Sequence, residues 1–140
     1  MEEVLAETVR AARDLYNRYV AEGLREEIAF RGVGKAYIRF AANEPQLFRL
    51  LFMREANAQA ASALPAIDEN YRAILQSITD RYGVGAAHAE ELYRHLWIYS
   101  HGVATLLATR MCAFGEEQIN AALGEVFLAL LKEKISEASK

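Results

Sequence analysis

Apolar residues recur along this chain at three- and four-residue intervals, the spacing that gathers them on one face of an α-helix. No sustained two-residue alternation bounded by hairpin turns competes with that pattern. It predicts a first helix from about Glu2 to Ala21, with Leu5, Val9, Ala12, Tyr16 and Tyr19 inward and a stop at Gly23. A short piece around Leu24 to Ile28 leads to a second helix, roughly Phe30 to Asn43, which turns Val33, Tyr37, Phe40 and Ala41 inward. The corner Asn43-Glu44-Pro45 breaks it, because a residue before proline is driven out of the helical region. A compact helical turn follows in QLFRLLFM, with Leu47, Phe48, Leu51 and Phe52 available for burial. Residues Arg54 to Leu64, rich in Ala, Asn and Gln, suit a loop or a weak helix equally.

Pro65 opens the next segment as Pro45 opens its own, each in a first helical turn. The third long helix, about Ala66 to Tyr82, buries Ile67, Tyr71, Ile74, Leu75 and Ile78 and ends at Gly83 and Gly85. A fourth runs from about Ala87 to Met111. The last runs from after Gly115 to about Ile135 on a stripe of Ile119, Leu123, Val126, Phe127, Leu130 and Leu131. Glu116 and Glu117 suit the positive end of its dipole, and Lys132 and Lys134 the negative end. The tail ISEASK is expected to fray. The predicted fold is all-α: an antiparallel bundle of about five to six helices forming one domain over residues 1–140.

The fourth helix carries the most information, because its apolar residues cover more than one face. Tyr93, Trp97, His101, Ala104 and Ala108 form a core stripe, while Leu92, Tyr99, Val103, Leu106 and Leu107 on the other side also need a cover. That cover is either another helix of the same fold or the same helix of a second subunit. Gly102 permits a close approach, and we favour the second subunit.

Composition narrows the possibilities. A chain of 140 residues is long enough to bury roughly 70% of its unfolded surface. Its 53% hydrophobic content includes no run near the ~18 residues of a membrane span, and MEEVLAETVR is acidic, without the apolar core of a signal peptide. A soluble, cytoplasmic protein without a membrane partner is expected. The lone Cys112 excludes an internal disulfide and reads as a free structural thiol. With a net charge of −3, and with Arg10, Arg13, Arg18, Arg25 and Arg31 interleaved among Glu7, Asp14, Glu22, Glu26 and Glu27, the chain lacks the clustered cations that nucleic-acid binding requires.

Chemistry-bearing motifs are sparse. His88, Glu91 and His95 stand three and seven residues apart, and Glu91 to His95 is one residue longer than the Glu-x-x-His spacing of di-iron bundles. These three belong on a solvated face. His101, four residues from Trp97, is either a satisfied core histidine or a polar handle in a ligand cavity. No serine elbow, phosphate loop or paired carboxylate accompanies it, and Ser100 points about 100° away around the helix. No enzyme activity, cofactor, metal or catalytic residue is expected. The aromatic residues Tyr37, Phe40, Phe48, Phe52, Tyr71, Trp97 and Phe127 come from different segments and suit either a packed core or a pocket for an apolar molecule.

On two segments the chain resembles the C-terminal domain of TetR-type transcriptional regulators. GKAYIRFAANEPQLFRLLFM matches through Tyr37, Phe40, Ala41, Pro45, Leu47, Phe48, Leu51 and Phe52, and LWIYSHGVATLLA matches through the Trp-x-x-x-His-Gly motif of Trp97, His101 and Gly102. The resemblance implies a ligand-sensing and homodimerisation domain, paired through its last two long helices. The effector is expected to be a small hydrophobic or aromatic molecule, held by Tyr37, Phe40, Phe52, Tyr71, Leu75, Trp97 and His101. The expected dimer interface is Tyr99, Gly102, Val103, Leu106, Leu107, Leu123, Phe127 and Leu130. Such regulators carry ~50 residues of helix-turn-helix ahead of this region. Here residues 1–22 resemble the connecting helix, so DNA contact is expected only through an N-terminal domain absent from this sequence. The alternative is a stand-alone helical dimerisation or small-molecule-binding protein without DNA-binding activity, and a helical enzyme holding a metal on His101 or on His88 and His95 is a more distant rival.

Overall fold

Two glycines set the angle at which the chain first turns back on itself. In the computed structural model, which describes residues 2–53 and 70–138, α1 (Glu2–Leu24) and α2 (Ala29–Asn43) are joined by a bent turn. They meet backbone to backbone: a Cβ built on Gly32 would lie 2.0 Å from the carbonyl oxygen of Gly23. Gly23 is therefore the contact point of a helix crossing rather than the stop expected of it, and α1 continues through Leu24. The side of α1 facing α2 buries Ala12, Tyr16 and Val20. The expected inward stripe starts later than its periodicity suggested, since Leu5 is 47% exposed.

The proline corner forms as expected. Glu44 adopts φ −130° and ψ 62°, its N–H reaches Phe40 O at 2.8 Å, and Pro45 opens the short α3 (Pro45–Phe48). The helix then widens into a π-helical turn over Arg49–Met53. From it Arg49 Nη2 donates to Ala108 O at 3.3 Å, placing a cation at the carbonyl end of a later helix. The expectations for Arg54–Leu64 and for Pro65, Ala66 and Ile67 lie outside the described residues.

The remaining helices are α4 (Tyr71–Tyr82), α5 (Ala86–Ala108) and α6 (Glu116–Ala138). Helix α2 lies at the centre and contacts α1, α3, α4, α5 and α6. The described residues are almost all helical and contain no strand, so the fold is an all-α bundle with Tyr16, Phe40, Phe48, Ile74, Ile78 and Leu92 fully enclosed. Leu92 thus belongs to the chain's own core and needs no second subunit to cover it. Helix α5 ends at Ala108, three residues before the expected Met111: Arg110 takes φ 60°, and the N–H groups of Met111 and Cys112 turn back to Leu106 O.

Gly83 closes α4 at φ 67°, donating its N–H to Thr79 O at 3.0 Å with no atom near where a Cβ would stand. Gly83→Ala is therefore expected to cost about 1 kcal/mol through the left-handed backbone alone. Urea denaturation should register it as a lower midpoint with an unchanged slope.

Candidate ligand cavity

Helices α2, α4, α5 and α6 do not fill the space between them. They leave a cavity of about 120 Å³ with aromatic and aliphatic walls. Helix α2 supplies one wall through Phe30, Arg31, Val33, Gly34 and Tyr37, and α5 faces it with Tyr93, Leu96, Trp97 and Ser100. Ile74 and Tyr82 of α4, Leu123 and Phe127 of α6 and Tyr16 of α1 complete the enclosure. The space exists because Gly34 presents no side chain to α5 and α6: a Cβ there would stand 3.4 Å from Leu123 Cδ1 and 3.5 Å from Ser100 Oγ. Ile28, in the turn after α1, and Leu128 also border it. Arg81 Nη1 holds that turn by donating to Glu27 O at 3.1 Å.

The polar groups of the site gather around Trp97. His101 stacks on the indole at 4.9 Å with the rings 10° from parallel, and its Nδ1 shares a 2.6 Å hydrogen bond with the Tyr37 hydroxyl. One contact thereby ties α2 to α5. The Trp97 Nε1 is buried without a hydrogen-bond partner among the described residues, an arrangement that costs free energy unless another group comes to meet it. Ser100, 4% exposed, faces the cavity.

Burial holds the His101 pKa below its usual 6.5. The imidazole takes up its proton more readily in the unfolded chain than in the folded one. Its contribution to stability is therefore complete above about pH 6.5 and is lost as the pH falls through the lower, folded-state value. The melting temperature should fall between pH 7.5 and pH 5, and it should fall less in His101→Gln. An equal fall in both proteins would assign the effect to other groups.

Of the residues expected to hold a ligand, Tyr37 and Trp97 line the cavity and His101 stands behind them. Phe40 and Phe52 do not line it: they pack on Tyr16 at 5.4 and 4.9 Å as part of an aromatic cluster. Tyr71 packs on Tyr93 at 5.5 Å, and Leu75 is half-buried at the edge of the core. Arg31, Gly34 and Ser100 were not anticipated, and no residue-type signal marks them. Among the expected interface residues, Gly102 is exposed, and Tyr99, Val103, Leu106, Leu107 and Leu130 are half-buried. Leu123 and Phe127 are buried in their own chain, Phe127 lying 4.6 Å from Phe30 and 5.1 Å from Tyr82. Their place on a helical stripe gave no sign of which side the bundle would cover. Glu91, one of the residues weighed for a metal, is ion-paired with Lys134, which holds its carboxyl below the usual range. Among the described residues, no group of three His, Cys, Asp or Glu is placed to hold a metal.

The tetracyclin repressor-like C-terminal domain family matches residues 30–131 of this chain, from the start of α2 to the last third of α6. The chain belongs to this family. Domains of the family are parts of regulators, and they usually dimerise and bind small ligands. No curated protein and no solved structure matches the chain. Among the described residues, no helix is long and apolar enough to cross a membrane. The matched region contains every helix that borders the cavity except α1.

Proposed function

We propose that this TetR-like domain senses a small hydrophobic or aromatic effector in the cavity between α2, α4, α5 and α6, and that it homodimerises through α5 and α6. The cavity is the observation that carries this reading. It is apolar and walled in part by Tyr37 and Trp97, which meet His101 behind them, so a molecule entering it bears on the packing of α2 against α5.

Two surface features support the dimer. Ile98 on α5 is 58% exposed and Leu128 on α6 is 55% exposed, large apolar groups that a second copy would remove from water. Gly102 lies one turn beyond Ile98, and a Cβ there would meet nothing in its own chain. Tyr99, Val103, Leu106, Leu107 and Leu130, half-buried, would form the flanks of that interface. In this reading α1 is the helix that connects to a DNA-binding head, and its exposed first turns fit that role. An effector that favours one spacing of the heads loosens DNA binding by the same coupling free energy with which DNA loosens the effector.

The test is a thermal-shift screen of small aromatic and aliphatic compounds, paired with sedimentation of the unliganded protein. A ligand at a hundred times its dissociation constant should stabilise the fold by about 2.7 kcal/mol. Trp97→Ala should abolish that shift while leaving the dimer intact. A screen without a shift would oppose the sensing role, and a monomer at micromolar concentration would oppose the dimer.

A further inference from the structure

We propose that the cavity takes an apolar monocarboxylic acid, with the carboxylate at its mouth against Arg31 and the apolar body inside. This rests on the sensing role above and specifies the ligand. Among the described residues, Arg31 is the only charged side chain that borders the cavity. It is exposed, and no carboxylate pairs with it among the described residues, whereas Arg39 pairs with Glu116 and Arg94 with Glu90. A cation at the mouth of an apolar cavity, with no acidic group in its walls among the described residues, favours an anionic head and repels an ammonium.

The spacing along α2 sets the shape of that ligand. Arg31, Gly34 and Tyr37 stand three residues apart on one side of the helix, passing from the exposed rim to the buried wall. At 1.5 Å per residue, about 9 Å separates the first from the last. Gly34 keeps the middle of that path open, since a side chain there would meet Leu123 and Ser100. The volume of about 120 Å³ is near the 150 Å³ of a dry cavity that accepts benzene. One ring with a short carboxylated arm fits both measures. Trp97 Nε1, without a partner among the described residues, also belongs to a cavity residue, and like the guanidinium it only donates, so both groups favour an acceptor on the ligand.

Three probes of one shape separate the possibilities by isothermal titration calorimetry: 3-phenylpropionate, 3-phenylpropionamide and 3-phenylpropylamine. The acid should bind about fivefold more tightly than the amide, near the upper range for an ion pair at an exposed site. The amine should bind more weakly than the amide. Raising the salt concentration should shrink the preference for the acid. Arg31→Gln should bring the acid and amide together without altering the amide's affinity. Amide binding equal to that of the acid, or an acid preference that survives Arg31→Gln, would overturn the assignment while leaving the sensing role in place. If none of the three binds, this assignment falls, and the broader thermal-shift screen decides the sensing role separately.

Discussion

Gly32→Ala is expected to destabilise the fold by about 3 kcal/mol, the upper range for overpacking a well-filled contact. The added Cβ would stand 2.0 Å from Gly23 O and 2.9 Å from Gly23 C, and both of these are backbone atoms of α1. A side chain in that position would swing away, but a helix backbone cannot without moving Tyr16 and Val20, which are fully buried on the same helix. The Glu26 carboxylate, 2.8 Å from the same point and paired with Lys35, would also have to shift. Alanine's better helix propensity returns only about 1 kcal/mol. Gly34→Ala makes the decisive comparison, because its Cβ would meet the end of the Leu123 side chain at 3.4 Å and the Ser100 hydroxyl at 3.5 Å. That variant should stay within about 1 kcal/mol of the parent, since the propensity gain offsets a contact that can give. Urea denaturation of the three proteins, followed by circular dichroism, supplies the numbers. Equal stability of Gly32→Ala and Gly34→Ala would mean that α1 and α2 do not touch through their backbones.

That contact also marks where the sequence stops being readable. Helix α2 and the core stripe of α5 are legible because one face of each is buried along its length, so the apolar period survives. Pro45 and Gly83 are legible because each acts through its own backbone geometry, whatever packs around it. Gly23 is ambiguous for the opposite reason: glycine ends helices and also lets helices touch, and only the partner Gly32 tells the two apart. The end of α5 is hidden because Arg110, with no glycine's signature, takes the left-handed turn. The candidate site divides in the same way. Tyr37, Trp97 and His101 emerge from their spacing and from the resemblance, and in the structure Tyr37 and Trp97 both contact His101. Phe40 and Phe52 look equally suited to a pocket, yet they pack against Tyr16, because aromatic composition does not separate a filled core from a cavity wall. Arg31, Gly34 and Ser100 matter only through what α5 and α6 bring opposite them. Arginine, glycine and serine on helices carry no such information alone.

Gly102→Leu is expected to leave the fold of one chain intact and to weaken its association at least a hundredfold, about 2.7 kcal/mol. The two effects separate because no atom of the same chain lies within 4 Å of a Cβ at this position. Replacing a helical glycine also gains up to about 1 kcal/mol of helix propensity, so the lone chain should unfold no earlier than before. A leucine at the closest point of two facing helices would instead push their backbones apart and strip contacts from Ile98 and its neighbours. Sedimentation equilibrium over a concentration series measures the association, and helicity at 222 nm checks the fold. Ile98→Glu supplies the companion test: it adds no bulk at the crossing, but it would bury a charge if α5 faces a second copy. Both variants should be folded monomers. If Ile98→Glu dissociates the protein and Gly102→Leu does not, the interface lies on this face of α5 with its closest approach elsewhere. If neither does, α5 is not the dimer helix, and the exposed Leu128 places the burden of association on α6.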